Sequence, residues 1–340
     1  MQRRGTRART TFGPGGARCQ LSVRVGTAPT CVRELARLGA SLLQVADCVV
    51  GSSGGNASLA VCSGAHASVR NTSLMRRGGF CVGRANAVFT QCRFLSGAAM
   101  EVRGGATCRL EGCIISGSAK SGVFVQANGR AELECCTIEG AHGAAIEVLG
   151  SGRAALHSCR LLASLGGALV HAGGTLEAME CEIGRHTLSG IDVRGGSRAH
   201  IVGTTVEGCG KAGLHVHTGA NALLHSCSLL DNGLSGVEIH SGGCVNMKNN
   251  RIERNNKSGV FVKDNSVVVF ESVHDCSVEV APGGRRLDQL EVDSGPRLEG
   301  LSQQTESQGC WPNKNCDRHL HGPCTTAAYD TTAGWDKKDS

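Results

Sequence analysis

A chain of 340 residues has room for two ordinary domains or for one elongated repeat domain with tails. With 49 glycines, 6 prolines and aromatics at only 3%, it lacks the bulk that a globular core of this size packs, whereas small and branched side chains suit stacked coils. The net charge of +6 is unevenly placed, and the absence of any run of about 18 apolar residues excludes an apolar membrane-spanning helix.

Residues 1–30 form a basic start, expected to be a disordered tail: Arg3, Arg4, Arg7, Arg9, Arg18 and Arg24 all precede the first acidic residue, Glu34. Such a segment is a solvated tail, a transit peptide or a nucleic-acid arm. No secretory apolar region follows Met1, so the 19 cysteines are expected as thiols in a reducing compartment, cytoplasmic or nuclear. Residues 31–57 carry Val32, Leu35, Leu38, Leu42 and Leu43 at mixed helical spacing, and are expected to form a helical cap and an irregular first coil.

A repeat governs residues 58–280. Gly122-Val123-Phe124-Val125 returns at Ala145, Gly167, Gly190, Gly213, Gly236 and Gly259, with gaps of 23, 22, 23, 23, 23 and 23. Ala99 stands 23 residues before Gly122, and looser copies begin at Gly79 and Ser58. Two further columns hold this register, one running Ala131/Leu133 to Val245/Met247 and one running Ile115 to Ile252. Apolar residues two apart mark short half-buried strands, and Asn128-Gly129, Gly173-Gly174, Gly195-Gly196 and Gly242-Gly243 between them supply positive φ for tight turns. Each period thus holds about three short strands and no helix, which predicts an all-β, right-handed parallel β-helix of about ten coils of ~23 residues. Cys92, Cys113, Cys136, Cys159, Cys181 and Cys227 fall in one column with Thr204 and Asn250, where they read as small corner hydrophobes rather than zinc ligands.

The segments "SGVEIHSGG", "NNRIERNNKSGVFV" and "CSLLDNGLSGVEI" resemble the repeats of the pectin-lyase-like superfamily. In rhythm they are most similar to the β-helix region of F-box only protein 11-like proteins. That resemblance covers roughly residues 58–280 and implies a module that recruits a protein. Residues 31–50 are too short for an F-box, so only the recognition module carries over. The superfamily's other branch implies polysaccharide lyases, hydrolases and epimerases. The Asp-Pro-His triplet of its epimerases is absent here, as are the paired Asp and the Gly-His-Gly of its polygalacturonases.

The outward side of the first strand offers one column through Phe124, Glu147, Asp192, His215, Glu238 and Phe261, and a second through Arg194, His217, His240 and Lys263. The expectation is a non-enzymatic module that binds a protein partner along this face, with exposed Phe124 and Phe261 as anchors. The alternative is a carbohydrate-active enzyme on an acidic polysaccharide. There Asp192, His215 and Glu238 would act as acid and base groups, and Arg194 or Lys263 would hold the anionic sugar. His215 and His217, at i and i+2, also share a strand face as two metal ligands would. Nucleic acid is not expected, because Glu breaks any basic stripe along the coils.

Residues 281–340 are polar and aperiodic, and disorder is expected there. Cys310, Cys316, His319, His321 and Cys324 are zinc-ligand types in this tail, but Cys-x5-Cys followed by His-x-His-x2-Cys matches no standard spacing. No metal or other cofactor is expected.

Overall fold

The structure is a computed structural model that describes residues 7–12, 19–24, 42–47, 49–51, 59–62, 64–75, 78–95, 97, 99–271, 278–280 and 284–288. All of them lie within one unit, Met1–Cys310. They contain strands and turns only, so none forms a helix long and apolar enough to cross a membrane. From Leu42 to Phe270 the strands fall into three parallel ladders, and the chain visits each ladder in turn before climbing to the next coil. About nine turns at roughly 23-residue spacing result, as the periodicity requires.

The register equals the sequence columns. Ala131 and Leu133 sit on Ala154 and Leu156, those on Leu176 and Ala178, and so on to Val245 and Met247. Ile115, Ile138, Leu161, Ile183, Val206, Leu229 and Ile252 form the second stack. Alternation along each strand turns these residues inward, and one continuous core runs from Leu43 to Phe270. The ring pair Phe89–Phe94 packs within it, with centroids 5.6 Å apart.

The cysteine column stands at a corner where each preceding residue has positive φ: Gly112, Cys135, Ser158, Glu180, Gly203, Ser226 and Asn249. Its side chains do more than fill space. The thiols of Cys113, Cys136, Cys159 and Cys227 donate to the Phe89, Leu110, Leu133 and Ile201 carbonyls of the coil before, at 3.3, 3.3, 3.4 and 3.3 Å. Thr204 and Asn250 do the same with O–H and N–H donors, on Ala178 and Leu224. Burial pushes the Cys227 thiol up to about 11 and the Cys81 thiol up to about 12. Cys244 departs from the all-thiol expectation, being disulfide-bonded.

Two of the glycine pairs divide their work, which the sequence expectation missed. Gly195 and Gly196 both have positive φ, whereas in Gly173-Gly174 and Gly242-Gly243 only the first does. A Cβ on Gly243 would lie 2.7 Å from the Val216 carbonyl oxygen, so the second glycine is required by the close approach of coils rather than by its own φ.

Both ends differ from expectation. Within 1–30, strands Arg7–Phe12 and Cys19–Arg24 pair antiparallel, and the second pairs in parallel with Leu42–Ala46. Leu42–Ala46 is the described part of the expected helical cap, and it is a strand because Leu43 and Val45 alternate inward over Ala67 and Val69. The rest of residues 31–57 lies largely outside the described residues. At the other end Arg285–Asp288 pairs with Val267–Phe270 and carries one ladder beyond residue 280. The Cys310–Cys324 group lies outside the described residues.

Candidate functional site

The eleven-stranded ladder carries the face singled out above. Ile191–Arg194, Leu214–His217 and Val237–His240 are its adjacent strands, each with alternate residues buried. Ile191, Val193, Leu214, Val216, Val237 and Ile239 fill the core, so Asp192, Arg194, His215, His217, Glu238 and His240 must project outward. Register places His215 between Asp192 and Glu238, and His217 between Arg194 and His240.

Four of these side chains converge. His217 Nε2 lies 3.2 Å from Asp192 Oδ1, and His215 Nδ1 lies 3.8 Å from Asp192 Oδ2. His215 Nε2 meets His240 Nε2 at 2.6 Å. The three imidazoles pack on one another, with centroids 4.4 Å apart for His215–His217, 4.7 Å for His215–His240 and 5.0 Å for His217–His240. Asp192 and these rings are only partly exposed, the His217 side chain at 16% and Asp192 at 26%.

Electrostatics follow from this crowding. Burial works to raise the Asp192 carboxyl, but the hydrogen bond and charge of His215, with the charges of His217 and Arg194, outweigh it and hold it below its ordinary value. Burial and the neighbouring His215 depress His217, against the pull of Asp192. Burial and the other two imidazoles depress His240 likewise, against Glu238. His217 and His240 therefore both resist taking up a proton.

Two hydroxyls hold the outer edges of the rings. His217 Nδ1 is 2.9 Å from Thr218 Oγ1, and His240 Nδ1 is 3.0 Å from Ser241 Oγ. Thr218 and Ser241 both adopt positive φ, which folds their hydroxyls back toward the preceding ring. Sequence reasoning passed over these residues, although His-Thr-Gly at 217 and His-Ser-Gly at 240 repeat one period apart.

The remaining predicted residues spread along the same face. Glu238 acts on His240 through its charge. Lys263 lies over the Phe261 ring at 5.9 Å and pairs with Asp264 at 3.8 Å. Glu147 belongs to a separate group two coils from Asp192, where it binds His171 Nε2 at 3.2 Å and the Ser121 hydroxyl at 2.5 Å. Neither Ser121 nor His171 was singled out as a site residue. Phe124 stacks over Glu147 in register and is half-buried, as is Phe261, so neither is the exposed aromatic anchor that was expected.

Comparison with known proteins places the architecture. Among solved structures the chain is similar to the periplasmic alginate epimerase AlgG, at 10% identity over 80% of this chain and 86% of that one, with a TM-score of 0.55. It also matches the A-module of the Azotobacter vinelandii mannuronan C-5 epimerase AlgE4, at 11% identity over 75% and 90%, with a TM-score of 0.48. At such identities the likeness is one of fold. No curated protein matches the chain. These findings correct the expectation of a non-enzymatic module for a protein partner. They do not support a protein partner, and one β-helix that this chain is similar to is an alginate epimerase, on the side of the carbohydrate-active alternative. The family match carries no link to F-box only protein 11-like proteins. The family described as right handed beta helix region matches residues 59–185 and 144–287, which together exceed half of the chain, and the parallel three-ladder coil is its architecture. The chain belongs to the right-handed β-helix family.

Proposed function

We propose that this chain is a carbohydrate-active β-helix acting on an acidic polysaccharide at the face from Asp192 to Lys263. The observation that carries the reading is the convergence of one carboxylate and three imidazoles on adjacent coils, with Arg194 and Lys263 in the flanking column. Cations beside proton-transfer groups suit a uronate. The cation neutralises the sugar carboxylate, and a neighbouring base removes the proton from the carbon next to it. Glycoside hydrolysis fits less well, because it uses two carboxyl groups facing each other across the scissile bond, and only Asp192 stands inside the cluster. The likeness to alginate epimerases supports the polysaccharide class, not the reaction.

The test is proton exchange. The purified chain is incubated with alginate or polygalacturonate in deuterated water, and NMR follows deuterium entering the ring carbon beside the carboxylate. Exchange or elimination is expected, and His217→Ala or Asp192→Asn should slow it by about 10²–10⁴. A chain that neither binds nor exchanges any polyuronate refutes the reading.

A further inference from the structure

The Asp192 cluster has a property that proton transfer does not need. Asp192 Oδ1 and Oδ2, His215 Nδ1 and Nε2, His217 Nε2 and His240 Nε2 face one another over short distances. Ligand atoms of Asp192, His215 and His217 all lie within 4.8 Å of one another. In a neutral imidazole one ring nitrogen bears a lone pair and the other a proton, so each histidine offers one ligand atom and Asp192 offers its carboxylate oxygens. Protons satisfy such atoms only two at a time, whereas one divalent cation satisfies them together. The separation of 2.6 Å between the His215 and His240 nitrogens is already below the usual hydrogen-bond range.

A second, independent feature lies behind the rings. His217 and His240 each have Nδ1 against the hydroxyl of the next residue, Thr218 or Ser241. Such a contact holds the ring plane, and where Nδ1 donates to the hydroxyl the Nε2 lone pair is presented inward. That is the outer-layer arrangement by which proteins orient metal-ligating histidines. Both copies occur on the two strands whose rings enter the cluster, and the device rests on a turn of the same sequence type in each.

We propose that Asp192, His215 and His217 form a site for a divalent transition-metal ion of the zinc type, and that His240, whose ring packs on theirs, turns in as the fourth ligand. The donor set decides the class. Three neutral imidazoles and one carboxylate suit Zn²⁺ and its neighbours in the first transition row, whereas Ca²⁺ and Mg²⁺ require a cage of oxygen ligands. The site goes beyond the polysaccharide reading and does not depend on it. A cation bound here takes the lone pairs that a base would use, so metal occupancy and proton abstraction exclude each other at these rings. Zn²⁺ is therefore expected to suppress any sugar turnover.

The experiment uses the full chain, stripped of metal and titrated with Co²⁺ as a spectroscopic probe, with no saccharide present. One equivalent is expected to bind with the visible bands of a nitrogen- and oxygen-ligated ion, without thiolate-to-metal charge transfer. Zn²⁺ should displace it. His217→Ala and Asp192→Asn should weaken binding at least tenfold, and Thr218→Val and Ser241→Ala by about ten- to hundredfold. The hydroxyl variants leave all four ligands in place, so they test the site even where a ligand variant misfolds, and far-UV circular dichroism checks folding throughout. Thiolate charge transfer would place the ion on cysteine and overturn the proposal. So would binding indifferent to all four variants, or no binding at all. Because no sugar is present, failure of the polysaccharide reading leaves this result untouched.

Discussion

Acid destabilisation through His186 follows directly from the ladder geometry. This side chain is 2% exposed and occupies the column that Asn232 and Asn255 occupy in later coils. Its Nδ1 accepts the Ser164 N–H at 3.2 Å, and its Nε2 donates to the Leu161 carbonyl at 3.0 Å. Burial is the main reason its pKa falls from 6.5 to about 4, with the Leu161 carbonyl working the other way. Protonation also puts a hydrogen on Nδ1, against the Ser164 N–H. Between those two values the unfolded chain binds a proton that the native chain refuses. Stability is therefore full above the unfolded value and declines as pH falls, by about 1.4 kcal/mol per pH unit and about 3 kcal/mol over the whole window. The isolating variant is His186→Asn. Asn232 makes the same pair of bonds, accepting from Cys209 N–H at 3.1 Å and donating to the Val206 carbonyl at 3.3 Å, and it does not titrate. Urea unfolding followed by far-UV circular dichroism, from about pH 4.5 to 7.5, gives both curves. His200, His217 and His240 share the sign, so the wild-type slope sums several groups and the difference between the proteins belongs to His186. The variant is expected to start about 1 kcal/mol lower at neutral pH from lost volume and to show a flatter decline. Equal slopes for the two proteins would refute the reasoning.

Gly213→Ala places a Cβ 2.8 Å from the Gly236 carbonyl oxygen and 2.9 Å from Asn232 Nδ2, so it should destabilise by about 1–3 kcal/mol in the same urea assay, whereas Gly219→Ala, open around its Cβ, should show only the cost of its positive φ. Phe94→Ala removes a fully buried ring from the Phe89 pair and should cost about 3–5 kcal/mol, read as a fall in the unfolding midpoint. Cys135 is exposed while Cys113, Cys136, Cys159 and Cys181 are buried, so a water-soluble thiol reagent should modify Cys135 at least about a thousandfold faster, the buried set waiting on unfolding.

The coils were legible because a solenoid writes its geometry as period. Once Gly190 and Gly213 share a register, the pairing of Asp192 with His215 follows without further information. The same logic named Asp192, His215, His217 and His240 as neighbours before any distance was known. What period cannot express is rotamer choice. Columns gave Glu238 and Glu147 the same standing as Asp192, yet side-chain torsions bring the imidazoles onto Asp192 and send Glu147 to His171. The hydroxyls of Thr218 and Ser241 were passed over because turn residues read as spacers, and their value depends on backbone handedness. The Leu42–Ala46 strand was misjudged for a related reason. Five residues are too few to separate a period of two from a helical one, and partners decide it. The protein-binding expectation came from rhythm, which encodes how coils stack and says little about what touches them.

The reversed strand at the start of the chain has a consequence for assembly. A ladder of identical rungs is its own template, and its bare first rung invites the last rung of another molecule, head to tail, without limit. Here the outermost strand, Arg7–Phe12, runs against all the others in its sheet, with Arg7 and Arg9 along it. An incoming parallel rung thus meets a strand of opposite polarity at this edge. At this ladder the hairpin opposes the in-register, head-to-tail addition by which a repeating surface would grow into a fibre.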